Sequence, residues 1–129
     1  MADMSNVLEL ALLNSTLNGA AFTPVDDPYV SLWTSNPTDA ETGTEVSGGS
    51  YARVISSFPN ATTNTVQTAS DITFPAATAT WGTVGWIGLH SASTGTGNMI
   101  YHTALDAAKT IDDGDVFKIT AGNLSVTLD

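Results

Sequence analysis

The chain has 129 residues, enough for one compact domain with a buried core and too few for two domains of ordinary size. Thirteen acidic residues stand against three basic ones, and the formal net charge of −10 disfavours both nucleic-acid and anionic membrane partners. There is no cysteine, which excludes disulfides and thiolate metal sites, and charged residues make up only 12% of the chain, so its polarity comes mainly from Thr, Ser, Asn and Gly.

The first predicted element is an amphipathic helix over residues 5–18. Its apolar residues follow the 3/4 spacing of a helical stripe, Ser5 can cap the start, and Gly19 is placed to end the helix in a left-handed conformation. An isolated helix of this length is marginal in water, so we expect its leucine-rich face to pack against the body of the protein or a neighbouring subunit. The N-terminus lacks the pattern of a signal peptide, and we expect synthesis in a cytoplasm.

From residue 29 onward the hydrophobic period changes from 3.6 to 2, and clusters of Gly, Asn, Asp, Pro and Ser mark turns. This pattern predicts an all-β fold, an antiparallel β-sandwich of jelly-roll type with about eight strands. It also predicts a single domain over residues 1–129, with a helical arm (1–24) and a sandwich (25–129). The candidate strands are Tyr29–Thr34, Tyr51–Ser56, Asp71–Phe74, Val84–His90, Met99–Ala104, Lys109–Ile111, Val116–Thr120 and Leu124–Leu128.

The segment 84–90 differs from the other candidate strands because it is apolar on both faces. Trp86 and Gly88 alternate with Ile87 and Leu89, which predicts a central or covered strand. The glycines in and beside this strand indicate a bulge or a close backbone approach.

Residues able to do chemistry are scarce. His90 and His102 lie on candidate strands and could approach each other, but two imidazoles without a third ligand are a weak metal signal. The DDGD segment (112–115) lacks the ligand spacing of a calcium loop and is better explained as a tight hairpin turn. No serine lies in a G-x-S-x-G elbow. The sequence therefore predicts no enzyme, no catalytic residue, no cofactor and no metal.

Arg53 is the only arginine in this acidic chain, and it follows Tyr51 in a candidate strand. An arginine in such a setting is expected to form a specific pair with a carboxylate, and Glu45 and Asp39 are the candidates. The predicted role of the pair is structural, either within the fold or between subunits. The tryptophans are interpreted as core or interface anchors rather than as a sugar-binding platform.

Four segments occur in this order along the chain: YVSLWTSNP, GTEVSGGSYAR, FPAATATWGTV and GNLSVTLD. Together they make the chain resemble small structural proteins of tailed-bacteriophage virions, commonly labelled tail-fibre or minor structural proteins. The resemblance runs nearly end to end. It implies a virion component with a β-sandwich body and supplies no catalytic residues. The sequence lacks the heptad shaft, collagen-like repeat or β-helical repeat that usually gives a fibre its reach.

The leading hypothesis is a capsid cement or decoration protein that binds the assembled shell from outside and stabilises it through many moderate interfaces. Its expected partners are other copies of itself, a trimer being one arrangement, and the major capsid protein or other virion proteins. A small tail-fibre, tip or minor tail protein that contacts the host surface is the first alternative. A carbohydrate-binding module is the second, and an enzyme would need a triad or metal that the sequence does not offer.

Contacts with these partners are predicted to involve the helix, the loops 35–50 and 60–70, and the region of two tryptophans. The residues predicted at the interface are Val7, Leu8, Leu10, Leu12, Leu13, Leu17, Trp33 and Trp86.

Overall fold

The structure is a computed structural model that describes residues 2–128. Within this range the chain forms one helix and nine strands. In chain order these are β1 (Asp3–Met4), α1 (Asn6–Asn18), β2 (Tyr29–Trp33), β3 (Val54–Ile55), β4 (Thr65–Gln67), β5 (Ile72–Thr73), β6 (Gly82–His90), β7 (Met99–Ile111), β8 (Lys118–Ile119) and β9 (Ser125–Thr127).

The strands form one large sheet and two short ladders, all with antiparallel pairing. The large sheet has the order β1-β7-β6-β2-β3, and the ladders pair β4 with β9 and β5 with β8. The predicted all-β class is confirmed. Nine strands are described where about eight were expected, and they occupy three sheets; the sandwich and its jelly-roll topology stay predictions.

The core lies between one face of the large sheet and the two ladders. Alternate residues of β2 and β6 point into it, while Phe117 and Ile119, which alternate with exposed Val116 and Lys118, enter from the opposite side. Phe74 is among the largest fully buried side chains and packs edge-on against Phe117, with ring centroids 5.7 Å apart. Burial of these apolar faces is what holds segments distant in sequence together.

Helix α1 begins and ends where its capping residues predicted. Ser5 accepts a hydrogen bond from the Leu8 N–H at 3.3 Å, and Gly19 closes the helix in the left-handed region at φ 67°. The Ser5 hydroxyl also donates to the Met99 carbonyl at 2.5 Å, which ties the start of the helix to the start of β7. The inner face of the helix packs on β7 and buries Leu8.

Strand β6 is the middle strand of the large sheet, which confirms the central position predicted from its two apolar faces. The register against β7 shifts between Val84 and Trp86, with Gly85 at the irregularity. Gly88 lies against the side chains of Ser31 and His90. Both the predicted bulge and the predicted close approach are therefore present.

Several strand predictions differ from the structure, and the strands expected over 71–74 and 116–120 shrink to two residues each. The two strands expected between residues 99 and 111 form one strand, because pairing with β6 at both ends keeps the intervening 105–108 segment extended despite its modest β propensity. The predicted loop 60–69 contains β4, which pairs with β9 far along the chain. Strand β1 was not predicted, and the strand expected over 51–56 shrinks to two residues.

The DDGD segment forms the predicted tight turn, but it does not join a hairpin. The backbone N–H of Asp112 donates to the Asp115 carboxylate at 2.9 Å, and Gly114 adopts φ 90°. Strands β7 and β8 on either side pair with β6 and β5, not with each other. The turn therefore carries the chain from the large sheet to a ladder.

Replacing Gly88 by alanine should destabilise the fold. A Cβ atom at this position would lie 2.8 Å from Ser31 Oγ and 3.0 Å from His90 Nε2, both in the buried interior. Overpacking of this kind costs about 1–3 kcal/mol, which chemical denaturation of Gly88→Ala would measure. Gly85→Ala in the same strand is the matched control, because its Cβ meets nothing within 4 Å and should change stability little.

Candidate functional site

The loop 34–50 crosses the face of the large sheet opposite the core and is the best-anchored irregular segment of the chain. Its residues 44–46 run back along the edge of β2, where the Thr34 N–H donates to the Thr44 carbonyl and the Val46 N–H donates to the Leu32 carbonyl. Glu45 forms an isolated bridge with Trp33 on this edge. Strand β3 pairs with the other end of the same edge, so Glu45 and the residue before β3, Arg53, come together.

Arg53 and Glu45 form a bidentate pair. The Arg53 Nε and Nη2 groups donate to the two carboxylate oxygens at 2.9 and 2.8 Å, and the Arg53 side chain is only 4% exposed. Tyr51 donates its hydroxyl proton to the same carboxylate at 2.6 Å and accepts the Leu32 N–H at 3.0 Å. The structure thus places Arg53 on Glu45, while Asp39, the other candidate partner, lies elsewhere.

Arg53 also holds the loop that joins β6 to β7. Its guanidinium donates to the carbonyls of Ala92 and Gly95 at 3.1 and 2.8 Å and to Asn98 Oδ1 at 3.1 Å. One arginine therefore joins the loop 34–50 to the loop 91–98. Removing it would leave several acceptors and a carboxylate without their main donor.

Arg53 and Glu45 each stabilise the charged form of the other, as the pKa values of the site show. Burial alone would raise the pKa of Glu45, but hydrogen bonds from Arg53 and Tyr51 outweigh it and hold that pKa below its usual range. Burial and the hydrogen bond to Glu45 raise the pKa of Tyr51. Burial opposes the charge on Arg53, yet the bonds to Glu45 leave the pKa of its guanidinium raised. At neutral pH the site contains a charged pair and a neutral phenol.

His90 is completely buried in β6 beneath this loop. Its ring stacks on Trp33, Nε2 lies 2.7 Å from Ser31 Oγ, and Nδ1 lies 2.8 Å from Asn98 Oδ1. Burial, followed by the positive charge of Arg53, lowers the pKa of His90 to about 4. His90 is therefore neutral at pH 7, and its 3.6 Å approach to the Glu41 carboxylate is not an ion pair under those conditions.

Glu41 is an unusual residue of this loop. It adopts φ 60°, a left-handed conformation rare for a residue with a side chain. Its Oε2 accepts the Gly97 N–H at 2.6 Å, while its buried Oε1 has no hydrogen-bond partner among residues 2–128. The strained backbone and the half-satisfied carboxylate are tolerated because neighbouring bonds on both sides fix the loop.

The far side of the loop is held by β7 and by the helix. The Asp39 carboxylate lies 2.7 Å from Nε2 of His102, and the Asp39 carbonyl accepts the Asn6 N–H at 3.0 Å. The two histidines that could have approached each other have separate partners in this arrangement. Residues 2–128 contain no group of three His, Cys, Asp or Glu side chains positioned to hold a metal ion.

The predicted interface residues divide into three sets. Leu8 is buried on the inner face of the helix, and Trp33 is buried under the loop, where its Nε1–H donates to Ser31; both are therefore corrected from interface residues to residues buried within the chain. Leu12 and Trp86 are half-buried. The others are exposed on the outer face of the helix, and their contact with a partner stays a prediction: Val7 (46%), Leu10 (61%), Leu13 (55%) and Leu17 (80%).

The structure also reveals a groove that the sequence did not indicate. It has a volume of about 440 Å³ and lies between residues 25–28 and 58–66, with Phe58 and Tyr101 among the residues that line it. Burial raises the pKa of the Tyr101 phenol. The roles of Tyr51 and Asn98 were also missed, because each depends on a contact with a separate segment: Tyr51 accepts the Leu32 N–H, and Asn98 accepts a hydrogen bond from Arg53.

Residues 2–128 include no helix with the length and apolar character needed to cross a bilayer.

The comparison with protein families gives a clear result. The sequence model of the family described as "Podophage GP4 fiber I protein gp80" matches residues 3–127, nearly the whole chain, and the chain belongs to this family. No curated protein sequence matches it. The membership confirms the resemblance to structural proteins of phage virions.

Arg53→Ala should cost about 3–5 kcal/mol of unfolding free energy, because it leaves a partly buried carboxylate without its counter-charge. Chemical denaturation would measure the loss. The matched control is Lys118→Ala, since Lys118 pairs with Asp71 at 3.0 Å where both side chains are about half exposed. An exposed pair of this kind contributes about 0–1 kcal/mol. Equal effects of the two substitutions would contradict the anchoring role of Arg53.

Stability should fall as the pH is lowered from about 6.5 towards 4. His90 has a pKa of about 4 in the folded chain and 6.5 as its ordinary value, so the unfolded chain binds more protons in this range. The full difference between these two pKa values corresponds to about 3 kcal/mol of unfolding free energy. The free energy of unfolding, measured by chemical denaturation between pH 5 and 7, should rise with pH for the native chain and should have a weaker slope for His90→Gln. An unchanged slope for His90→Gln would refute this origin of the pH dependence.

Proposed function

We propose that this protein is a non-enzymatic component of a fibre on the tail of a phage virion, where it assembles with copies of itself and with other virion proteins and contacts the host surface. The observation that carries the proposal is the family match over residues 3–127, since that family is described as a fibre protein. The net charge of −10 supports protein or neutral partners over nucleic acid.

The family description favours this function over capsid decoration, which was the leading hypothesis from the sequence. That hypothesis depends on the absence of a shaft repeat, because a one-domain protein suits a plaque on a shell. A one-domain protein can also serve as a knob or a segment of a fibre built from several proteins. Membership of a fibre family therefore supports the alternative, and nothing in the family description supports capsid cement.

The chemistry of the chain supports a structural role. The buried ionisable side chains hold loops to the sheet: Arg53 and Glu45 join two loops, and His90 lies neutral between Ser31 and Asn98. Groups that are already engaged with one another in the interior are not free to act on a substrate. A rigid loop beside an exposed helix instead provides a fixed surface, which favours binding because little conformational entropy remains to be lost.

Two surfaces are available for the proposed contacts. The outer face of the helix is apolar and suits other protein subunits, whereas the groove between residues 25–28 and 58–66 combines apolar and aromatic walls with polar side chains. The polar residues beside this groove include Asp26, Asp27, Asn60 and Asn64. A surface of this composition supports contact with the host and lies on a part of the chain distinct from the helix.

Fab fragments raised against the purified protein test both the location and the host contact. Electron microscopy of labelled phage should show the Fabs on tail fibres, with a few to a few tens of copies in each particle, and the Fabs should reduce adsorption to the host. Fabs against the major capsid protein are the control and should label the shell without reducing adsorption. Uniform labelling of the shell would reject the fibre proposal in favour of capsid decoration.

A further inference from the structure

The outer face of helix α1 carries a regular apolar stripe that nothing among residues 2–128 covers. Leu10, Leu13 and Leu17 are each more than half exposed, and Val7 is nearly so. The opposite face of the same helix supplies the contact with β7, through Leu8. The helix therefore has two apolar faces, of which the fold uses one. Exposed apolar residues grouped in this way mark an interaction surface more often than scattered single ones.

The spacing of this stripe is that of a coiled-coil seam. Val7, Leu10, Asn14 and Leu17 follow one another at intervals of 3, 4 and 3 residues, which are the a, d, a and d positions of a heptad repeat. A β-branched residue at a and leucine at d favour two-stranded association. A single asparagine at an a position fixes register and the number of helices. All three features occur in this one helix.

Asn14 indicates what the partner must be. It is exposed, and its side-chain amide makes no hydrogen bond to any of residues 2–128. Covering the stripe with a purely apolar surface would bury this amide without a partner, at a cost of about 1–3 kcal/mol. A second copy of the helix in parallel register places another Asn14 opposite it, so that the two amides satisfy each other.

The charge of the helix also permits a second copy. The whole chain has a net charge of −10, which opposes self-association in general, but Glu9 is the only charged residue between residues 6 and 18. In the heptad register Glu9 occupies a c position, away from the seam. Two copies can therefore approach along this face without placing like charges against each other.

From these observations we propose that two copies of the protein pair through the outer faces of α1, in parallel and in register, with Asn14 facing Asn14. The inference rests on the self-assembly included in the proposed function and deepens it, because it names the surface and the number of chains. It proposes a dimer, whereas a trimer is one arrangement expected from the sequence.

Sedimentation equilibrium of the purified full chain over the micromolar range tests the proposal. The native protein should be dimeric, and Leu10→Gln combined with Leu17→Gln should weaken the dimer at least roughly tenfold, which corresponds to about 1.4 kcal/mol. Val116→Gln is the control, since Val116 is 55% exposed outside the helix and should leave the dimer intact. Circular dichroism would establish that each variant is folded.

Asn14→Leu gives a second readout that nonspecific hydrophobic association of the helix would not produce. It should keep or increase association but change its order, yielding a mixture of dimers and larger oligomers, because the seam loses its specifying amide. A monomeric native protein, or a dimer unaffected by the leucine substitutions, would overturn the inference. Either result would leave the fibre location intact, since Fab labelling of the virion tests that independently.

Discussion

The arrangement of the irregular half of this molecule depends on the bidentate pair between Arg53 and Glu45. The two residues meet because segments on either side of the loop 34–50 pair with the same edge of β2. Once in place, Arg53 reaches across to the loop between β6 and β7 and provides Asn98 with one of its partners. In a chain with three basic residues, one of them organises two loops and the buried histidine between them.

Burying this network costs desolvation free energy, which its hydrogen bonds largely offset. A buried pair gains stability only when its remaining hydrogen-bonding groups are satisfied, and Tyr51 together with the loop carbonyls meets most of that requirement. The exception is the unpartnered oxygen of Glu41, which lies beside the neutral His90. A polar layer of this kind, on the face opposite the apolar core, makes the sheet rigid on both sides. Rigidity suits a subunit that must present fixed surfaces in an assembly.

The fibre family and the fold are consistent with each other on physical grounds. A fibre component needs surfaces for neighbouring proteins, and this chain separates them: the fold uses one face of α1 and leaves the other exposed, while a groove opens beside residues 58–66. The acidic charge keeps unpaired copies apart in solution, whereas the helix is nearly free of charge. The proposed association therefore uses a neutral, apolar surface and not the whole molecule.

The sequence by itself determined the features that depend on neighbouring residues: the helix with its Ser5 and Gly19 caps, the central position of β6, the turn at 112–115 and the all-β class. It also predicted that Arg53 pairs with a carboxylate such as Glu45, because a lone arginine in an acidic chain favours a specific pair. Only the tertiary structure decided which strands pair, that Leu8 and Trp33 face inward, and that Tyr51, Asn98 and Glu41 join the network. The physical reason is distance along the chain. Local propensity and periodicity act over a few residues, whereas these contacts join segments brought together by burial of a common core.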